Sequence, residues 1–331
     1  MFMRFLAHRP FRKILQHSAT AVVALTASAA MAWPDKPVTF VVGYAAGGSV
    51  DAVARVISTP LASRLGQPIV IENVGGAGGS IGAAKAARAR ADGYTFLVGS
   101  GSEVAIAWAV NPGLKYNGLK DLAGVGMVAT SPMVLVGNKS VPASDLNSLL
   151  QYSKSNTGKL TLATSGVGTP QHLLLEYINR RSGGEVLHVP YRSASTIMQD
   201  VVGGRVDLSV LTLSTALPFI TSGQLRAYAV TSREPDTLLP GVASLTQAPS
   251  LKNDVFDLWF GVLAPAGTPK PMVERMNKEL NAVLQLPEVR DALTKQGMLV
   301  SPGTPEQFSE YVRDDSAKYQ RIIKEASIVV K

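Results

Sequence analysis

The sequence predicts an α/β protein of two lobes, each a mixed, mainly parallel sheet flanked by helices. Three observations carry this. Short unbroken runs of β-formers each lead into a Gly-rich turn and then a helical apolar stripe, the pattern of strands buried on both faces. That unit is written twice, about 120 residues apart, once from Val38 and once from Leu160. The 331 residues exceed one ordinary domain and fall short of three.

Residues 1–16 carry Arg4, Arg9, Arg12 and Lys13 without an acid, residues 18–30 are small and apolar, and Ala30-Met31-Ala32 precedes Trp33. A basic segment, a short apolar segment and an A-x-A site make a secretory signal peptide, with cleavage expected after Ala32. The apolar run is too short for a membrane anchor. Beyond it no span of roughly 18–20 apolar residues exists, although the mean hydropathy is +0.15. The leader has no Arg-Arg pair and no Cys follows the cleavage point, which points to general secretion rather than twin-arginine export or lipidation.

Of the formal net charge of +8, the leader holds four charges, which leaves +4 on the remainder. Those basic residues are scattered, with Arg180-Arg181 the sole doublet, so nucleic-acid binding is disfavoured. The chain has no Cys, which excludes disulfides, thiol nucleophiles and Cys-ligated zinc.

In the first unit, Val38–Val42 enters Gly43-Tyr44-Ala45-Ala46-Gly47-Gly48-Ser49. A helix follows with Val50, Val53, Ala54, Ile57, Leu61 and Leu65 on one face. Pro60 is expected to break or kink it one turn before its end, Gly66 stops it, and Ile69-Val70-Ile71 is the next strand. In the second unit, Leu160–Thr164 leads into Ser165-Gly166-Val167-Gly168, with Thr169 as N-cap and Pro170 at the first helical position. That helix presents Leu173, Leu174, Tyr177 and Ile178, ends at Gly183-Gly184, and precedes a strand at 186–189. A strand at 258–263 has no lobe of its own to complete and is expected to return to the first. The tail is helical: Val273, Met276, Leu280, Val283 and Leu284 form one stripe, and Thr304-Pro305-Glu306-Gln307 caps another helix through Phe308, Tyr311 and Val312.

In open α/β sheets ligands bind beyond the carboxyl ends of the strands, where unpaired N–H groups at helix starts favour an anion. If the lobes face each other, Gly47-Gly48-Ser49 and the 165–169 turn grip an acid from two sides without any Arg. Hydrogen bonds to a charged group contribute about 1.5–3 kcal/mol each, so four or five suffice for micromolar binding at roughly −8 kcal/mol.

Two other motifs fail on context. Gly78-Gly79-Ser80-Ile81-Gly82 matches the G-x-S-x-G nucleophile elbow, but its strand ends near Asn73, too early for a sharp elbow. Beyond the leader only His172 and His188 are available as a base, and His188 lies inside a strand pattern. The glycines from Gly76 to Gly82 have G-x-G-x-x-x-G spacing and do not follow the first strand, so they are no dinucleotide fingerprint. Two separated His without Cys leave no metal site, and no cofactor is expected.

From Trp33 on, the chain resembles the Bug/TctC family of periplasmic solute-binding proteins of tripartite tricarboxylate transporters. The resemblance rests on Trp33-Pro34-Asp35-Lys36-Pro37-Val38, Gly47-Gly48-Ser49-Val50-Asp51, Glu72-Asn73 with the 76–82 glycines, Ala91-Asp92-Gly93-Tyr94-Thr95, His188-Val189-Pro190-Tyr191, and Trp259-Phe260-Gly261 through Ala264-Pro265-Ala266-Gly267-Thr268-Pro269. It implies a two-lobed Venus-flytrap fold, type II-like, with 33–131 and 254–331 forming lobe 1 and 132–253 forming lobe 2. It further implies a monomer that is no enzyme, a small organic carboxylate as ligand, and the transporter's large and small membrane subunits as partners.

Carried over by residue, the resemblance puts the ligand against Tyr44, Ala46, Gly47, Gly48 and Ser49, the Ala77-Gly78-Gly79 turn, and Ser100, Ser102 and Glu103. The second lobe contributes Ser165, Thr169 and His172, with Tyr191 at the cleft edge. Asp51 is expected to hold the Gly47-Gly48 loop or to serve as a favourable helix-start acid. Ala45-Ala46 replace the family's prolines, and Leu211-Thr212 stand where many members have an Asp, which argues against an amino-acid ligand. Glu103 is expected to face solvent; the alternative is that it reads a ligand donor or shares a proton with the ligand. Tyr44 and Trp108 leave an aromatic acid open beside a dicarboxylate. Two alternatives remain: a ligand-binding partner of a membrane sensor kinase, and a secreted serine hydrolase using Ser80.

Overall fold

The computed structural model describes residues 33–111, 113–191, 194–252 and 254–326; the expected leader lies outside the described residues. Strands β1 (Val38–Val42), β2 (Ile69–Asn73), β3 (Thr95–Ser100), β4 (Leu122–Ser131), β10 (Leu258–Pro265) and β11 (Leu299–Val300) form one sheet in the order β11-β4-β10-β3-β1-β2. Strands β5 (Met133–Asn138), β6 (Leu160–Thr164), β7 (Val186–Pro190), β8 (Leu208–Thr212) and β9 (Leu225–Val230) form a second, ordered β7-β6-β8-β5-β9.

Both repeated units form as read. Helix α1 (Ser49–Leu65) buries Val50, Val53, Ala54, Ile57, Leu61 and Leu65, tolerates Pro60, and stops at Gly66 in the left-handed conformation. After β2, a tight turn at Ala77–Gly79 starts α2 (Ser80–Ala87). After β3 come a wide π turn (Ser102–Ile106) and α3 (Ala107–Val110). Helix α4 (Leu146–Ser155) precedes β6, and α5 (Pro170–Ser182) follows it with Thr169 as N-cap. Next come α6 (Ala194–Val202) and α7 (Leu213–Thr221), then α8 (Lys270–Leu284), α9 (Pro287–Thr294) and α10 (Pro305–Ala326).

The chain passes between the sheets twice. Only Pro132 separates β4 from β5. The return leaves β9 at Val230 and enters β10, which inserts between β3 and β4 in the first sheet. The fold class holds, but antiparallel pairing is more extensive than the mainly parallel expectation. β1-β2, β1-β3, β6-β7 and β6-β8 are parallel. β10 runs antiparallel to β3 and β4, as do β11 to β4 and β5 to β8 and β9. The reason is topological: β5 and β10 each begin just after a crossing between the lobes, so they run against the βαβ strands of their sheets, whereas β4 ends at a crossing and runs with β1 and β3.

Two apolar cores cover the outer faces. Phe40, Ile57, Phe96, Met276 and Leu280 pack between the first sheet, α1 and α8. Val134, Val136, Ile197 and Val201 do the same for the second sheet and α6. A third core runs through both lobes, from Leu97 and Val104 to Leu135 and Leu162. In it Tyr177 of α5, Phe256 of the return connection and Tyr319 of α10 pack in tilted and edge-to-face pairs with ring centroids 4.9 and 6.1 Å apart. The C-terminal helix of the first sheet thus braces the side of the interlobe junction. Among the described residues, no helix is long and apolar enough to cross a membrane.

Candidate functional site: the interlobe cleft

Four loops end at the carboxyl edges of β1, β2, β3 and β6, and three of them meet in one cavity of about 300 Å³. The first sheet's side contributes Ala77, Gly78, Ser80 and Ser102, with Ala107, Val110, Asn111 and Leu114 behind them. The second side contributes Ser165, Val167, Gly168 and Thr169. Another hollow of about 320 Å³, between Lys120, Leu263 and Arg313, contains none of these loop residues.

Of the expected residues, Ala77, Gly78, Ser102, Ser165 and Thr169 line the cavity. Ala46, Gly47, Gly48 and Ser49 are exposed at the start of α1. Gly48 caps that helix without a side-chain bond, so its first amides are free for an anion. Asp51 lies beneath them, 1% exposed, accepting Gly47 N at 2.8 Å, Arg55 Nε at 2.8 Å and Asn73 Nδ2 at 2.9 Å. Asn73 also donates to Tyr44 O at 3.0 Å. Arg55 first of all, with the Gly47 and Asn73 donors, holds the Asp51 carboxyl down at about 2. Asp51 therefore shapes the loop, and its acceptors face protein donors.

Tyr44 and Gly79 are fitted to each other. Gly79 sits at φ 92°, and a Cβ there would lie 2.8 Å from Tyr44 Oη. Tyr44 Oη lies 3.0 Å from Gly78 O, 3.4 Å from Ser100 Oγ and 2.6 Å from Glu103 Oε2. Glu103 does not face solvent, contrary to expectation: it is 0% exposed. The π turn rotates it inward, where Ser100 N donates to Oε1 at 2.7 Å and Ser100 Oγ to Oε2 at 2.6 Å. These two donors and the Tyr44 contact offset the desolvation that ordinarily keeps a carboxyl group at the surface.

His172 is also buried behind its loop. Gly168 N donates to His172 Nδ1 at 3.1 Å, and the ring stacks on His188 at 4.0 Å. Burial foremost, then the His188 ring, pulls His172 down to about 4, so it is neutral at ordinary pH and acts as an acceptor for the ligand loop. His188 Nε2 lies 2.6 Å from Thr164 Oγ1, which accepts Gly166 N at 3.2 Å. Thr169 Oγ1 donates to Gly166 O at 2.8 Å. Tyr191 turns its hydroxyl to Asp200 Oδ2 at 2.8 Å on α6.

Lining residues missed by sequence reasoning are Ser80, Ala107, Val110, Asn111 and Leu114, whereas Val167 and Gly168 belong to the 165–169 turn already expected to face the ligand. Ser80 carries a signal: it begins a helix directly after a glycine turn, where its hydroxyl can serve a ligand as well as act as a nucleophile. Val110, Asn111 and Leu114 follow an irregular turn with no periodicity to place them.

Two mixed α/β sheets joined by two crossings, with a cleft lined by helix starts and by apolar as well as hydroxyl side chains, define a two-lobed solute-binding protein. Residues 53–328 match the model described as "Tripartite tricarboxylate transporter family receptor", and the chain belongs to that family. Its members are periplasmic binding proteins, not enzymes. Among solved structures, the chain is similar to the periplasmic binding protein BugD, with 32% identity and a TM-score of 0.74 over 90% of this chain and 100% of that one. It is similar to Rpa4515 of R. palustris, solved with adipate, with 30% identity and a TM-score of 0.77 over 90% and 99%. MatC of Rhodopseudomonas palustris, solved with bound malate, has 32% identity and a TM-score of 0.74 over 88% and 100%.

Proposed function

We propose that the protein captures a small organic carboxylate between its lobes and delivers it to the large and small membrane subunits of a tripartite tricarboxylate transporter. The supporting observation is the convergence of Ser80, Ser102 and the Gly168-Thr169 helix start on one cavity. These groups offer hydroxyls and N–H donors to an anion without a cationic side chain in the lining. The relatives solved with malate and adipate fit the same ligand class. On this reading the lobes are 33–131 with 254–331, and 132–253, closing about the two crossings. The chain reaches the periplasm by cleavage after Ala32.

The test is a thermal-shift screen of protein starting at Trp33, unfolded and refolded to strip bound ligand, against mono-, di- and tricarboxylates and amino acids. At about 100 times its dissociation constant a true ligand adds roughly 2.7 kcal/mol, a shift of a few degrees. A shift confined to one acid class fixes the ligand family. No shift with any carboxylate overturns the proposal.

A further inference from the structure

Glu103 is a fully buried carboxyl one residue beyond Ser102 of the cavity wall. It takes part in none of the salt bridges among the described residues. Its partners are a backbone amide and two hydroxyls, Ser100 Oγ and Tyr44 Oη. Tyr44 Oη meets two acceptors, Glu103 Oε2 at 2.6 Å and Gly78 O at 3.0 Å. A phenol carries one proton and cannot donate to both. If Glu103 is ionised, Tyr44 donates to it and the Gly78 carbonyl loses this donor. If Glu103 is neutral, its Oε2–H donates to Tyr44 and the tyrosine proton goes to Gly78 O. The second arrangement gives each short contact its own proton, and Oε2 still accepts from Ser100 Oγ. It also avoids an unpaired buried charge behind a wall built for an anion.

We propose that Glu103 is a positioning residue, held as the neutral acid when the cleft is filled, whose proton is relayed through Tyr44 to fix the Gly78 turn and so links anion capture to protonation. This rests on the carboxylate reading of the cleft. The other titratable groups around it do not supply a counter-charge. Tyr116 donates its hydroxyl to the Glu103 main-chain carbonyl at 2.6 Å. On α10, Asp315 accepts Trp259 Nε1 at 2.8 Å and pairs with Lys318 at 2.7 Å. On α2, Lys85 pairs with Glu72. Burial pushes the Glu103 carboxyl above its ordinary value, and its hydroxyl and amide donors pull the other way.

A bound anion beside Gly78 raises the Glu103 pKa further. Binding therefore takes up a proton wherever the free protein is partly ionised, and affinity falls as pH rises, by at most about tenfold per pH unit for one proton. The first test needs no ligand. Difference infrared spectra of wild type against Glu103→Gln, from about pH 5 to about pH 9, should show a protonated-carboxyl C=O stretch that fades with rising pH and is missing in the variant. Should Glu103→Gln not fold, Tyr44→Phe serves instead, because losing the acceptor shifts that band. The second test is calorimetry with malate and adipate in buffers of different ionisation enthalpy. Wild type should take up protons and weaken with pH. Glu103→Gln, whose amide donates to Tyr44 at every pH, should bind with a flat profile. No Glu103 carboxyl band at any pH overturns the proposal, as does a wild-type affinity as flat as that of the variant. If neither probe binds wild type, the calorimetry is repeated with the acid found by the thermal-shift screen, and a screen in which no carboxylate binds overturns the carboxylate reading, while the infrared band still decides the state of Glu103.

Discussion

Thr231 Oγ1 donates to Asp257 Oδ1 at 2.8 Å on the return path between the sheets, and accepts Met133 N at 2.8 Å just past the outward crossing. One threonine thus ties both interlobe connections together. Burial is the main influence on Asp257, against the Thr231 bond and the nearby Lys318 charge, and raises its carboxyl to about 6. The folded state therefore holds this proton more tightly than the unfolded chain, whose carboxyl titrates at about 4. Stability from this group is present below about pH 4 and is lost as pH rises toward 6. Asp257→Asn keeps the acceptor for Thr231 and removes the titration. Relative to wild type, the variant should gain on the order of 1–2 kcal/mol between pH 4 and pH 7, the figure being discounted because Asp257 is partly exposed. Thermal midpoints of both proteins across that range check it; a constant difference refutes it.

His172 works in the opposite direction over an overlapping window. Its folded pKa of about 4 lies below the ordinary value of 6.5, so the unfolded chain binds the proton better and stability is lost as pH falls from about 6.5 to 4. In wild type these two slopes oppose each other and partly cancel from pH 4 to 6. Asp257→Asn alone should expose a midpoint that rises with pH. His172→Gln alone should expose one that falls, with each slope worth on the order of 2 kcal/mol across the window. Differential scanning calorimetry of the two single variants and the double variant separates them, because the sites sit in different networks and their effects should add.

Asp51 governs the acid limit. Its carboxyl, held at about 2, contributes stability that is present above about pH 4 and lost as pH falls toward 2. Asp51→Ala should cost about 1–3 kcal/mol at neutral pH, since Asn73 and Gly47 N lose their acceptor. The deficit should shrink toward zero near pH 2. Urea titrations at pH 7 and pH 3 measure both halves of this statement.

The two strand–turn–helix units were legible because a buried strand demands a continuous apolar run and a helix start demands its cap. Thr169-Pro170 and Gly66 each do at the helix ends what their chemistry dictates. Glu103 was not legible, because its burial depends on three hydrogen-bond partners from Tyr44 and Ser100 brought in by another strand end and by the π turn. His172 was correctly placed in the first turn of its helix, yet the side of the loop its ring supports depends on Gly168 N and on the stack with His188. The antiparallel share of the sheets was hidden for a similar reason. Strand direction follows from which lobe the chain has come from, which no local pattern in β4, β5 or β10 records.

Neighbouring glycines in the Ala77–Gly79 turn should respond differently to a methyl group. Gly78 sits at φ 63°, and a Cβ there meets nothing within 4 Å. Gly78→Ala should therefore cost only the left-handed conformation, roughly 1–2 kcal/mol. Gly79 sits at φ 92°, and its Cβ would lie 2.8 Å from Tyr44 Oη and 2.9 Å from Tyr44 Cζ. The ring is held between Gly78, Ser100 and Glu103, so it cannot yield without breaking that network. Gly79→Ala should cost about 2–4 kcal/mol, conformational strain and overpacking together. It should also weaken ligand binding more than Gly78→Ala, although the Gly78 backbone lies in the cavity wall. Chemical denaturation orders the two stabilities, and calorimetry at matched folded fraction orders the affinities. Equal losses in both would mean that Tyr44 is free to move and does not set the shape of the turn.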